Sequence, residues 1–84
     1  MTTVEILAQN PTDGPPESLV IHEVFVQLND VVKVGQLLFI AEGAKVIVDV
    51  ESHVNGRVSR LNITAGEEVE IGRVLMEIET AEEK

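Results

Sequence analysis

Apolar and polar residues alternate with a period of two in several stretches of the chain. In Val46-Ile47-Val48-Asp49-Val50-Glu51 one face carries Val46, Val48 and Val50, and the other carries Ile47, Asp49 and Glu51. In Val74-Leu75-Met76-Glu77-Ile78-Glu79 the apolar series is 74, 76 and 78, with Leu75 as an extra. Alternation with β-branched residues marks half-buried strands. The pattern predicts strands at residues 4–7, 19–27, 37–41, 46–50, 57–63 and 74–79. No segment keeps a helical period. Residues 10–16, Asn-Pro-Thr-Asp-Gly-Pro-Pro, read as a loop, because Pro and Gly interrupt strand and helix pairing. The polar ending, residues 80–84, is expected to fray or to begin a linker.

The pattern also repeats. Residues 24–42, VFVQLNDVVKVGQLLFIAE, align with residues 61–79, LNITAGEEVEIGRVLMEIE, at a constant offset of 37. The offset pairs Val26 with Ile63, Asp30 with Glu67, Val32 with Val69 and Val34 with Ile71. It also pairs Gly35 with Gly72, Leu38 with Leu75 and Glu42 with Glu79. Each half reads strand, acidic turn, apolar-Gly corner, strand. Two copies indicate an internally duplicated domain, since a solenoid needs three or more. Short strands without a helix then predict two packed sheets related by a pseudo-twofold axis.

Between Glu42 and Val46 the alternation breaks at Gly43-Ala44-Lys45. This reads as a tight hairpin, with Gly43 available for a positive-φ conformation should the turn need one. Lys45 then stands at an exposed apex, where other enzymes can reach it.

Composition narrows the function. The 84 residues predict one domain over 1–84, near the lower size limit for a self-sufficient core. Only Phe25 and Phe39 are aromatic, so the core must come from Val, Ile and Leu. There is no Cys, which excludes disulfides, thiolate nucleophiles and Cys-based metal sites. No apolar stretch is long enough to span a bilayer, and the first residues lack a signal-peptide core, so a cytoplasmic location is expected. The net charge of -9 argues against nucleic acid and anionic membrane as partners, and favours basic protein surfaces.

The stretch Glu42-Gly43-Ala44-Lys45-Val46-Ile47-Val48-Asp49-Val50-Glu51-Ser52, followed by Val54-Asn55-Gly56-Arg57-Val58, resembles the biotinyl/lipoyl attachment domain family. The corners Asn29-Asp30-Val31-Val32 and Gly66-Glu67-Glu68-Val69, each followed by a glycine and an apolar strand, fit the same pattern. The resemblance covers residues 17–79 and preserves several spacings at once. It implies an all-β flattened barrel or sandwich of two four-stranded antiparallel sheets. It implies that Lys45 carries a prosthetic group through an amide on its side-chain amine. Glu42, Gly43, Ala44 and Val46 would be read by the attaching ligase or by partner enzymes. Gly56 would form a symmetry-related turn at Asn55-Gly56.

The neighbours of Lys45 bear on which group is carried. Lipoyl domains usually place Asp before the lysine, and biotinyl domains place Met on both sides. Here Ala44 and Val46 flank it, and the only methionines are Met1 and Met76. Val46, Val48-Asp49-Val50 and Glu42-Gly43 look lipoyl-like, so lipoate is the expected cofactor and biotin the alternative. The resemblance implies a carrier acted on by a lipoate or biotin ligase and by dehydrogenase and acyltransferase partners, monomeric in isolation. It would not itself be an enzyme. An unmodified interaction module with the same fold is the third reading.

Other candidate chemistry is sparse. His22 and His53 have no ligand-spaced partners, so no metal site is expected. Asp49 and Glu51 share a strand face, which reads as a solvated face and not as catalytic carboxylates. Ser18, Ser52 and Ser59 lack a nucleophile elbow, and no phosphate-binding glycine loop is present.

Overall fold

A computed structural model describes residues 2–9 and 18–80. The loop expected at 10–16 lies wholly outside the described residues, as do residues 81–84 of the expected tail, whereas Thr80 belongs to the last strand. The chain order is β1 (Thr2–Leu7), β2 (Leu19–Val24), β3 (Val31–Val32), β4 (Leu37–Glu42), β5 (Ile47–Glu51), β6 (Gly56–Leu61), β7 (Glu68–Val69) and β8 (Val74–Thr80). They form two four-stranded antiparallel sheets, ordered β1-β8-β6-β3 and β5-β4-β2-β7. The all-β expectation holds. The six strands read from alternation are present, with β2 and β6 ending earlier than expected. The remaining strands, β3 and β7, have two residues each, too few to show a period.

The duplication is visible bond by bond. The Gln27 amide donates to the Asp30 carboxylate at 2.8 Å, and the Thr64 amide to the Glu67 carboxylate at 3.0 Å. Asn29 donates to the Val58 carbonyl at 2.8 Å, and Gly66 to the Ile21 carbonyl at 2.6 Å. Each pair of donors is related by the offset of 37. Positive φ occurs at Asn29 (77°) and Gly66 (91°), and at Gly35 (88°) and Gly72 (95°), again in matched pairs. The left-handed conformation belongs to the corners, where glycine or Asn carries little steric cost.

Irregularities in the ladders are duplicated too. The register steps from Leu37 to Phe39 opposite Glu51 and Val50, leaving Leu38 as an extra residue in β4. In β8 it steps from Val74 to Met76 opposite Leu7 and Ile6, leaving Leu75 extra. Such bulges break strict alternation. This is why Leu38 and Phe39, and likewise Leu75 and Met76, are consecutive yet all buried.

The core lies between the sheets. Phe39, Ile21, Leu38, Leu75, Met76, Ile78, Val32, Val58 and Val69 are all below 2% exposed. Full burial of a side chain of this size contributes about 1.5–3 kcal/mol. Interior polar groups are satisfied: the Ser52 hydroxyl donates to the Val54 carbonyl at 2.6 Å, and the Thr80 hydroxyl donates to the Thr2 carbonyl at 3.2 Å.

Gly56 differs from the expected turn residue. It opens β6 and packs against β8, where a Cβ would fall 2.5 Å from the Glu79 carbonyl oxygen. Its role is close backbone approach. The position related to the Lys45 hairpin is held instead by the two strand ends Thr2 and Thr80, which pair with each other.

Candidate functional site

β4 and β5 form the hairpin that carries Lys45. Their last ladder pair is Glu42 opposite Ile47, and the Gly43 amide donates to the Val46 carbonyl at 2.7 Å. The strand therefore resumes at Ile47, one residue later than alternation suggested. The loop occupies 43–46, with Ala44 and Lys45 exposed and Gly43 and Val46 half-buried. Lys45 makes no ion pair among the described residues. The hairpin thus offers an exposed primary amine, on a support closed by the Gly43–Val46 bond and a ladder unbroken from Glu42–Ile47 to Phe39–Val50.

Glu42 lies on the outer face of its sheet. The ladder continues across all four strands as Glu68, Val20, Glu42 and Ile47, and all four are exposed. Glu68 accepts a hydrogen bond from the Ser18 hydroxyl. Ser18, Val20, Glu42, Gly43 and Ala44 line an open hollow of about 430 Å³ beside the tip. Val20 was not singled out from the sequence, and Ser18 was weighed there only as a nucleophile. The repeat held the signal for Val20, because the offset of 37 equates it with Arg57.

The other candidates resolve as structural residues. Asp49 and Glu51 are exposed on the outer face of β5. His22 is the extra residue of a bulge in β2, and His53 is exposed in the turn after β5. Among the described residues no group of three His, Cys, Asp or Glu could hold a metal ion. Ser59 donates to the Glu77 carbonyl at 3.3 Å, as a second bulge residue related to His22. A cleft of about 220 Å³ opens between β1 and β5, lined by Leu7, Leu19, Phe39, Val50 and His53 among others. None of residues 43–46 of the Lys45 loop lines it.

Among the described residues the pKa of the Glu67 carboxyl is displaced. The Arg73 guanidinium, 2.8 Å away, and the Thr64 amide both stabilise its charged form and hold it below the usual carboxylate value. This pair braces the second corner and is not part of the Lys45 hairpin.

A sequence model of the family described as "Biotin-requiring enzyme" matches residues 10–78. The dihydrolipoyllysine-residue acetyltransferase component of pyruvate dehydrogenase complex from Mycoplasma capricolum subsp. capricolum is 46% identical over 57 residues. That match covers 68% of this chain and 13% of the relative. The biotin carboxyl carrier proteins of acetyl-CoA carboxylase from Porphyra purpurea and Pyropia yezoensis are each 33% identical over 58 residues, covering 69% of this chain and 37% of theirs. The chain therefore spans only a minor part of these relatives. The fold, the duplicated corners and the family match agree: the chain belongs to the biotin/lipoyl attachment domain family and is a carrier domain.

Proposed function

We propose that this domain carries lipoate in amide linkage on Lys45. It would move acyl or related intermediates between the active sites of a 2-oxo acid dehydrogenase-type multienzyme complex. The observation that carries this reading is the exposed Lys45 at the tip of the β4–β5 hairpin, in a chain 46% identical over 57 residues to part of a dihydrolipoyllysine-residue acetyltransferase component. The residues suit the group. An amide needs one accessible primary amine, and Lys45 supplies it without a neighbouring carboxylate to be displaced. Bound lipoate would supply the dithiolane that accepts and releases the transferred group.

The protein's own part is positional. The hairpin holds one end of a flexible lysine stem, and tethering raises the effective concentration of the carried group at successive sites. Catalytic side chains are not required of the domain, since the partner enzymes hold the reacting centres. Ala44 in place of the Asp usual in lipoyl domains means that the partners must recognise the tip without a charge next to the lysine.

Biotin is the second reading, favoured by the two biotin carboxyl carrier relatives at 33% identity. An unmodified module of the same fold is the reading left if the lysine stays free. Intact mass after expression with both lipoate and biotin supplied, followed by peptide mapping of residues 40–52, separates them. A lipoyl increment on Lys45 is expected. A biotinyl increment redirects the function to carboxyl transfer, and a free Lys45 in the native cells leaves the interaction module.

A further inference from the structure

The two sheets are built alike, and the outer rung nearest the Lys45 loop departs from its counterpart. In the first sheet the rung runs Val31, Arg57, Glu79, Thr3. In the second the equivalent rung runs Glu68, Val20, Glu42, Ile47. Arg57 and Glu79 form an ion pair at 3.1 Å. The residue equivalent to Arg57 is Val20, so Glu42 faces a methyl-bearing side chain where Glu79 faces a guanidinium. Among the described residues Glu42 has no ion-pair partner. It is flanked by two apolar side chains left in water, Val20 at 42% and Ile47 at 65% exposure. The neighbouring acid on the rung, Glu68, already has its Ser18 donor.

Charge follows the same division. The strands of the first sheet carry Arg57 and Arg60 among Glu5, Glu77 and Glu79. The strands of the Lys45 sheet carry Glu23, Glu42, Asp49, Glu51 and Glu68, with no Lys or Arg. A carboxylate between exposed apolar side chains suits a partner cation that is desolvated as it docks. The surrounding acids steer such a partner towards the tip.

We propose that Val20 and Ile47, which flank Glu42, complete the docking rung for the enzyme that modifies Lys45. That enzyme meets the rung with an Arg or Lys side chain set between apolar ones. The proposal rests on the carrier reading above and adds Val20 and Ile47 as its contact residues. The cation missing from the carrier's own rung is supplied by the partner, so an internal cation at residue 20 competes with docking.

The test is the rate of lipoyl addition to the full chain, followed by intact mass with a purified lipoate ligase, lipoate and ATP. Val20→Arg recreates the Arg57–Glu79 arrangement opposite Glu42. It is expected to raise the KM for the carrier at least tenfold while kcat at saturation stays within twofold. Ile47→Thr, the residue found at the equivalent Thr3, is expected to raise KM at least threefold. Arg57→Val, the mirror change, is expected to leave both constants unchanged. Raising salt should weaken wild-type addition more than addition to Val20→Arg. Thermal midpoints show whether each variant is folded, and Ile47→Thr decides the matter if Val20→Arg is not. Wild-type KM in the folded variants overturns the docking rung and leaves the carrier reading intact. A wild-type chain that takes no lipoyl group overturns both.

Discussion

The Gly43 amide donates to the Val46 carbonyl at 2.7 Å, and this bond closes the loop that presents Lys45. The lysine itself takes no part in the closure. Lys45→Ala should therefore abolish modification while changing stability by no more than about 0.5 kcal/mol, as at other exposed surface sites. Denaturant midpoints of the two proteins measure this. A loss of several kcal/mol would show that the Lys45 stem packs against the loop.

The chain needs glycine at residue 56 because β6 and β8 approach closely there. A Cβ on Gly56 would sit 2.5 Å from the Glu79 carbonyl oxygen and 2.8 Å from the Ile78 side chain. One of these contacts is backbone in a paired strand, which cannot rotate away. Gly56→Ala should cost about 1–3 kcal/mol, the range for overpacking. Calorimetry would register this as a drop of several degrees in Tm, and an unchanged Tm would mean that β8 moves aside freely.

Gly66 tests the backbone alone. Its φ is 91° and a Cβ there would meet nothing within 4 Å. Gly66→Ala should cost about 1–2 kcal/mol, the left-handed penalty of an L side chain. Gly66→Asn should cost less, because Asn29 holds φ 77° at the equivalent corner. Equal losses for Ala and Asn in denaturant melts would contradict this.

Acid should weaken the second corner. The Glu67 pKa lies below its ordinary value in the folded chain, first because of the Arg73 hydrogen bond and then the Thr64 amide. A depressed carboxylate pKa contributes stability above the unfolded pKa. That contribution is lost as the pH falls through the folded value. Arg73→Gln, the residue at the equivalent Gln36, should therefore lose less stability between pH 7 and pH 3 than wild type does. Chemical denaturation at the two pH values is the check, and parallel losses would remove the Arg73 pair as a cause.

Much of the fold was readable from alternation because side chains on a strand reverse face at every residue. Val48 and Val50 are half-buried, while Ile47, Asp49 and Glu51 are exposed, as the period requires. The strands β3 and β7 were not readable, since two residues carry no period. The Leu38 and Leu75 bulges were not readable either. An extra residue in a ladder is defined by its partner strand, and the partner is remote in sequence.

The candidate hairpin was also legible, through the break between Glu42 and Val46 and the family pattern around Lys45. The hollow beside it was not. Ser18 and Val20 reach the tip only because β2 pairs with β4, with Val20 opposite Glu42.

By itself, the sequence determined the six longer strands, the duplication and the lysine at a turn, because each is written in local spacing or in a constant offset. The tertiary structure alone decided that Glu42 faces Val20 while Glu79 faces Arg57. Cross-strand pairing is set by register between segments far apart in the chain, and register is fixed only when both sheets close on their shared core.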